Sequence, residues 1–113
     1  MNLGSLVTIA NQAPKNYVHC LCENGCYETN GSVPTPRAGQ IRFAELAKTA
    51  GYKKTYEIGD LEEWERKLPE ILKDEGPVFV TLKVEPGEAY PENFPRLYNI
   101  EYREKFRQTL AKS

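Results

Sequence analysis

The chain is expected to adopt an α/β fold, with a parallel sheet of roughly three strands flanked by helices on both faces. Three observations carry this expectation. Helical and strand-like stretches alternate along the 113 residues in the order helix, strand, loop, helix, strand, helix, strand, helix, which builds parallel strands through helical crossovers. Val78-Phe79-Val80-Thr81-Leu82-Lys83-Val84 is apolar and β-branched, the clearest strand in the sequence. Tyr17 to Cys22 is apolar at odd and even positions alike, as in a strand buried on both faces.

Composition narrows the possibilities. A chain of this length forms one domain that buries roughly two-thirds of its unfolded surface. A hydrophobic fraction of 40% with 27% charged residues is ordinary for a globular protein, and a net charge of -1 gives no electrostatic case for nucleic acid or an anionic membrane. No basic run leads into an apolar one at the N-terminus, and no apolar stretch reaches membrane-spanning length. The three cysteines are odd in number and crowded between Cys20 and Cys26. That is a poor disulfide framework, and it predicts reduced thiols in the cytoplasm.

Leu3, Leu6, Val7 and Ala10 fall at helical spacing and predict an opening helix to about Asn11. Met1-Asn2 gives it neither run-in nor a good cap, so the chain is expected to start inside a larger unit. Pro14-Lys15-Asn16 turns into the first strand, which stops at Glu23-Asn24-Gly25, since Asn and Gly tolerate positive φ. A long polar loop with Gly31, Pro34, Pro36 and Gly39 follows. Ile41, Phe43, Ala44, Leu46 and Ala47 form a short helical face closed by Ala50-Gly51.

Thr55 to Ile58 alternates as a second strand. Asp60-Leu61-Glu62-Glu63 is a capping box, after which Leu61, Trp64, Leu68, Ile71 and Leu72 are expected to share one face. Pro69 should kink or break that helix, and Glu75-Gly76-Pro77 ends it. Pro86 to Pro95 is loop, and Tyr98, Tyr102, Phe106 and Leu110 predict a docking helix with a basic outer face. Three strands make a small sheet with an open edge, which predicts self-association or a partner chain.

Few residue clusters point to chemistry. Cys20, Cys22 and Cys26 are spaced C-x-C-x3-C beside His19, without the C-x2-C pairs usual in structural zinc sites. We therefore read them as small buried strand residues, and His19 as a core or sheet-face residue. A Cys-His nucleophile fails because neighbours on a strand point apart. Glu62, Glu63, Glu65 and Glu75 read as helix-surface and capping residues, and the seven tyrosines are too scattered to form a base-stacking platform. No phosphate-binding glycine motif is present. Asn24-Gly25-Cys26-Tyr27 stands apart. An Asn at the carboxyl end of a parallel strand, with a carbonyl two residues on, offers the oxygens that suit Mg²⁺ on a diphosphate. A plain turn accounts for the same residues equally well.

Taken together, Met1-Asn2-Leu3-Gly4-Ser5-Leu6-Val7-Thr8-Ile9-Ala10, Ala13-Pro14-Lys15-Asn16, Glu23-Asn24-Gly25, Phe43-Ala44-Glu45-Leu46-Ala47-Lys48-Thr49-Ala50-Gly51-Tyr52 and Gly76-Pro77-Val78-Phe79-Val80 resemble the thiamine-diphosphate-binding domain. The nearest resemblance is to the phosphonopyruvate and sulfopyruvate decarboxylases, and the ending Tyr102 to Leu110 resembles a basic helix that closes some of those chains. The resemblance implies that residues 1–113 are the C-terminal part of such a domain. It implies thiamine diphosphate and Mg²⁺ as cofactors, a 2-oxo acid as substrate, and decarboxylation as the reaction.

Asn24 matches the Asn that closes the family's cofactor motif, so the resemblance makes its side chain an Mg²⁺ ligand and the Cys26 backbone carbonyl the neighbouring one. Gly25 and Tyr27 would line the cofactor, and Glu28, Thr29 and Asn30 would face substrate. The motif's opening Gly-Asp-Gly, its strand and the pyrimidine-binding half have no counterpart in these residues. That implies a homo-oligomer or a pyrimidine-binding partner subunit, with the catalytic residues unassigned. An acetolactate-synthase-like enzyme, an oxidoreductase subunit, or a non-catalytic α/β interaction module remain as alternatives.

Overall fold

The computed structural model describes residues 2–88, 95 and 98–112. In chain order the elements are α1 (Gly4–Gln12), β1 (Val18–Glu23), β2 (Cys26–Tyr27), a 3-10 turn (Glu28–Asn30), β3 (Val33–Pro34), α2 (Phe43–Ala50), β4 (Lys54–Ile58), α3 (Leu61–Ile71), β5 (Val78–Lys83) and α4 (Ile100–Leu110). The main sheet has the order β1-β5-β4 and is parallel throughout, as expected. Val18 lies opposite Val78 and Glu23 opposite Lys83, while Lys54 lies opposite Val78 on the other side.

Strand alternation divides the sheet between two layers. On one face Leu6, Ala47, Tyr52 and Phe79 are buried together, with Leu21 and Phe43 packed against them under α1 and α2. On the other face Ile58, Ile71, Val78 and Val80 form a second core with Val18, Trp64 and Leu82 beneath α3. Between the layers β5 is central, and Val78, Phe79, Val80 and Thr81 are all buried. Among the described residues no helix is long and apolar enough to cross a membrane.

Local chemistry sets the element ends. Gly51 takes φ 113° and its N–H closes α2 on the Ala47 and Lys48 carbonyls. The Asp60 carboxylate accepts the Glu63 N–H at 2.8 Å, the N-cap predicted for α3. Gly76 is fixed by crowding. Its N–H donates to the Lys15 carbonyl at 2.7 Å, and a Cβ there would lie 2.7 Å from the Pro14 oxygen. This contact binds the turn before β1 to the turn before β5.

Four expectations need correction. The first strand is not buried on both faces. β1 is an edge strand, and Cys20 and Cys22 are exposed because α3 covers β4 and β5 and reaches only Val18 of β1. The α3 face is narrower than predicted, leaving Leu61 and Leu72 69% and 66% exposed at the two ends of the helix. Pro69 does not break α3, which ends two residues later at Ile71 rather than near Glu75. Proline at 69 removes the N–H that would bond the Glu65 carbonyl, and that residue is exposed. The tail helix forms but buries none of its residues. The polar loop also holds a short ladder that the sequence did not signal, the antiparallel β2–β3 pair. Part of the loop expected over Pro86 to Pro95 lies outside the described residues.

Candidate functional site

The parallel strands place their carboxyl ends on one side of the sheet, where crevices form in this class of fold. A cavity of about 260 Å³ opens there. Its walls are the entry to α1 and its first turn (Asn2, Leu3, Leu6), β1 (His19, Leu21, Glu23 and also Cys22), and Asn24 to Tyr27, closed by Thr35, Phe43 and Phe79. Asn24, Gly25, Cys26 and Tyr27, consecutive in the chain, all line it.

The turn itself is built from three interactions. Gly25 takes φ 72°, which glycine adopts without the Cβ penalty. The Asn24 carboxamide oxygen accepts the Cys26 N–H at 3.2 Å. The Gly25 carbonyl accepts both the Thr35 N–H at 2.9 Å and the Thr35 hydroxyl at 3.1 Å. Hydrogen-bonded and non-hydrogen-bonded pairs alternate along an antiparallel ladder. With Gly25 bonded to Thr35, the next pair, Cys26 opposite Pro34, is a non-hydrogen-bonded one. The Cys26 N–H and C=O therefore both turn away from β3, toward the side on which the Asn24 side chain sits.

Two neutral hard oxygens, a carboxamide and a peptide carbonyl, face the same region. Across the cavity, α1 begins after Leu3 with no side-chain cap; its Ser5 and Leu6 N–H groups donate to the Asn2 and Leu3 carbonyls, and the end carries the partial positive charge of the helix dipole. This donor set fits a divalent ion on a diphosphate, with the chain supplying part of the coordination shell. Among the described residues no three His, Cys, Asp or Glu side chains converge on a common point.

The electrostatics on the inner wall are settled by burial and pairing. His19 Nδ1 lies 3.0 Å from the Tyr52 hydroxyl, and its ring meets Phe79 edge-on at 4.9 Å. Desolvation lowers the His19 pKa from its ordinary value, so the imidazole is neutral at neutral pH. Desolvation, followed by the nearby Tyr17, pushes the Tyr52 hydroxyl up to about 12. Glu23 is held by Lys83 at 2.6 Å, and Lys83 also lies 3.8 Å from Glu57.

Glu28, Thr29 and Asn30 are not among the lining residues. They form an exposed turn beside the cavity, and the Glu28 carboxylate accepts the Gly87 N–H, tying the loop after β1 to the loop after β5. Sequence reasoning missed Glu23, Thr35, Phe43 and Phe79 as lining residues, and placed His19 on the sheet without the cavity. The parity of 19, 21 and 23, leading to Asn24, was the available signal for the β1 wall. The other residues arrive through pairings far apart in sequence.

No protein-family model matches the chain. It is 30% identical over 108 residues to the phosphonopyruvate decarboxylase of Streptomyces hygroscopicus, covering 96% of this chain and 27% of that protein. It is 38% identical over 89 residues to the sulfopyruvate decarboxylase subunit beta of Methanothermobacter thermautotrophicus, covering 79% of this chain and 45% of that protein. The sulfopyruvate decarboxylase of Methanosarcina acetivorans is 30% identical over 113 residues, covering 97% of this chain and 28% of that protein. The chain thus spans less than half the length of these curated relatives.

Proposed function

Because the chain is homologous to part of the phosphonopyruvate and sulfopyruvate decarboxylases, we propose that it is the diphosphate- and Mg²⁺-holding part of a 2-oxo-acid decarboxylase in the cytoplasm. The observation that carries this reading is the Asn24–Cys26 turn. It aims a carboxamide oxygen and a carbonyl to one side of a cavity that the N-terminal end of α1 also borders. Asn24 and Cys26 hold the ion, the positive end of the α1 dipole favours the diphosphate charge, and Gly25 and Tyr27 line the cofactor. When bound, thiamine diphosphate supplies the electron sink for loss of CO₂.

The chain's own residues position and shield. Leu6, Phe43 and Phe79 exclude water, and the neutral His19, anchored to Tyr52, adds no charge beside the bound anion. Glu28, bound to Gly87, fixes the turn through Asn30 near the mouth, where it faces a phosphono- or sulfo-substituted pyruvate. The remaining half of the site comes from a pyrimidine-binding partner or a second copy, in keeping with relatives named as beta subunits. The test is CO₂ release from phosphonopyruvate and from sulfopyruvate by the complete assembly. Asn24→Ala is expected to abolish it at cofactor levels that saturate the unsubstituted protein, and undiminished release would overturn the assignment.

A second reading has one observation in its favour. The Asn24–Cys26 bond completes a turn without any ion, as a non-catalytic interaction module would need. That reading predicts no cofactor affinity at all.

A further inference from the structure

Each strand of the main sheet brings a charged residue to its carboxyl end on the face that carries α1 and α2. Glu23, the last residue of β1, lies opposite Lys83, the last of β5. Glu57, one residue before the end of β4, lies opposite Thr81. Alternation puts all three on the same face as Phe79, the face of the cavity. Lys83 Nζ lies 2.6 Å from Glu23 and 3.8 Å from Glu57. Arg42, just before α2, lies 3.9 Å from Glu57 and 3.8 Å from Glu45.

The two carboxylates that share Lys83 are not equivalent. The Glu57 side chain is a third exposed and has Arg42 as a second cation. The Glu23 side chain is 8% exposed, and among the described residues Lys83 is the one cation within ion-pair reach of it. Glu23 lines the cavity and immediately precedes Asn24. Its carbonyl accepts the Val84 N–H at 3.1 Å, so the end of β5 holds this residue through backbone and side chain together. From Val78 to Leu82 the strand is uncharged, and Lys83 is its single charge.

We propose that Lys83 is a positioning residue for the Asn24 turn. Its ammonium keeps the Glu23 carboxylate inside, and it leaves the cavity wall beside the turn without uncompensated negative charge. A buried carboxylate deprived of its cation is costly, and rotation toward water relieves that cost. Glu23 would then carry Asn24 with it. Charge acts in the same direction, because an unpaired carboxylate repels a phosphate anion strongly where water is scarce, whereas the pair is neutral. The hold on the turn follows from the ion pair alone, and its consequence for a diphosphate rests on the function proposed above.

Two measurements on the 113-residue chain test this role. Without ligand, Lys83→Met is expected to shift the backbone amide resonances of Asn24 to Tyr27, while Lys83→Arg, which keeps a cation, leaves them near the parent's. The double variant Glu23→Gln/Lys83→Met, with no charge left to expel, should return them as well. With Mg²⁺ and thiamine diphosphate, Lys83→Met should weaken binding by about tenfold or more, and the double variant should regain most of that loss without any ion pair. A lysine needed only for packing would not be rescued by neutralising its partner. Unmoved resonances in Lys83→Met would overturn the proposal, as would a double variant displaced as far as the single one. If Lys83→Met fails to fold, a folded double variant with the parent's amide pattern supports the role, and an unfolded one overturns it. A parent chain with no affinity for thiamine diphosphate would overturn the function proposed above, and the ligand-free spectra would still decide the role of Lys83.

Discussion

The Asn24 carboxamide oxygen accepts the backbone N–H of Cys26 at 3.2 Å, which couples a side chain suited to an ion to the residue whose own carbonyl turns to the same side. Gly25, at φ 72°, permits the approach, and Thr35 fixes the Gly25 carbonyl from the far side of the ladder. The turn is therefore held in place before any ligand arrives, so binding need not order it.

Gly76→Ala is expected to destabilise the fold by about 1–3 kcal/mol, the usual cost of forcing an extra methyl group into a filled site. The added Cβ would meet three backbone atoms of Pro14 and Tyr17 within 3 Å, and backbone cannot rotate aside as a side chain can. Urea unfolding checks this through a lowered midpoint with unchanged slope. An unshifted midpoint would mean that the two turns are not locked together.

Thr81→Val should be neutral or stabilising by up to about 1 kcal/mol. Thr81 is fully buried at the centre of β5, and its hydroxyl finds no partner among the described residues. Valine keeps the shape and β-branching while removing an orphaned polar atom. A loss of stability beyond about 1 kcal/mol would reveal a partner for that hydroxyl.

Stability should fall on both sides of neutral pH. The folded state lowers the His19 pKa, so its contribution is complete above the ordinary value of 6.5 and is lost as pH falls through the lower, folded value. The folded state raises Tyr52 to about 12, so that contribution is complete below the ordinary 10 and is lost as pH rises from there through about 12. Unfolding free energies near pH 5.5, 7.5 and 10.5 check both limbs. Tyr52→Phe should flatten the alkaline limb, and a variant as steep as the parent there would contradict the assignment.

Much of this was legible locally. Val78 to Lys83 is apolar enough to declare a central strand, Gly51 marks a helix end by its freedom at positive φ, and Asn24-Gly25 marks the strand terminus where the cavity opens. The failures were of context. Nothing local to Cys20 and Cys22 says that their strand lies at an edge, because that depends on which neighbours pair and how far α3 reaches. Val33-Pro34 is too short to carry a periodic signal, so the ladder that directs the Cys26 carbonyl was invisible. His19 and Phe43 meet at the cavity only through packing across the sheet. The apolar stripe of α4 was legible as a stripe.

The most direct test of the central claim is isothermal titration of thiamine diphosphate into the chain, alone and with a candidate pyrimidine-binding subunit, with and without Mg²⁺. If the Asn24–Cys26 turn holds the ion, binding requires Mg²⁺, and Asn24→Ala weakens it by about tenfold or more while the fold is retained. Equal affinity in Asn24→Ala and the parent, or binding indifferent to Mg²⁺, would contradict the account and leave Asn24 as a turn residue.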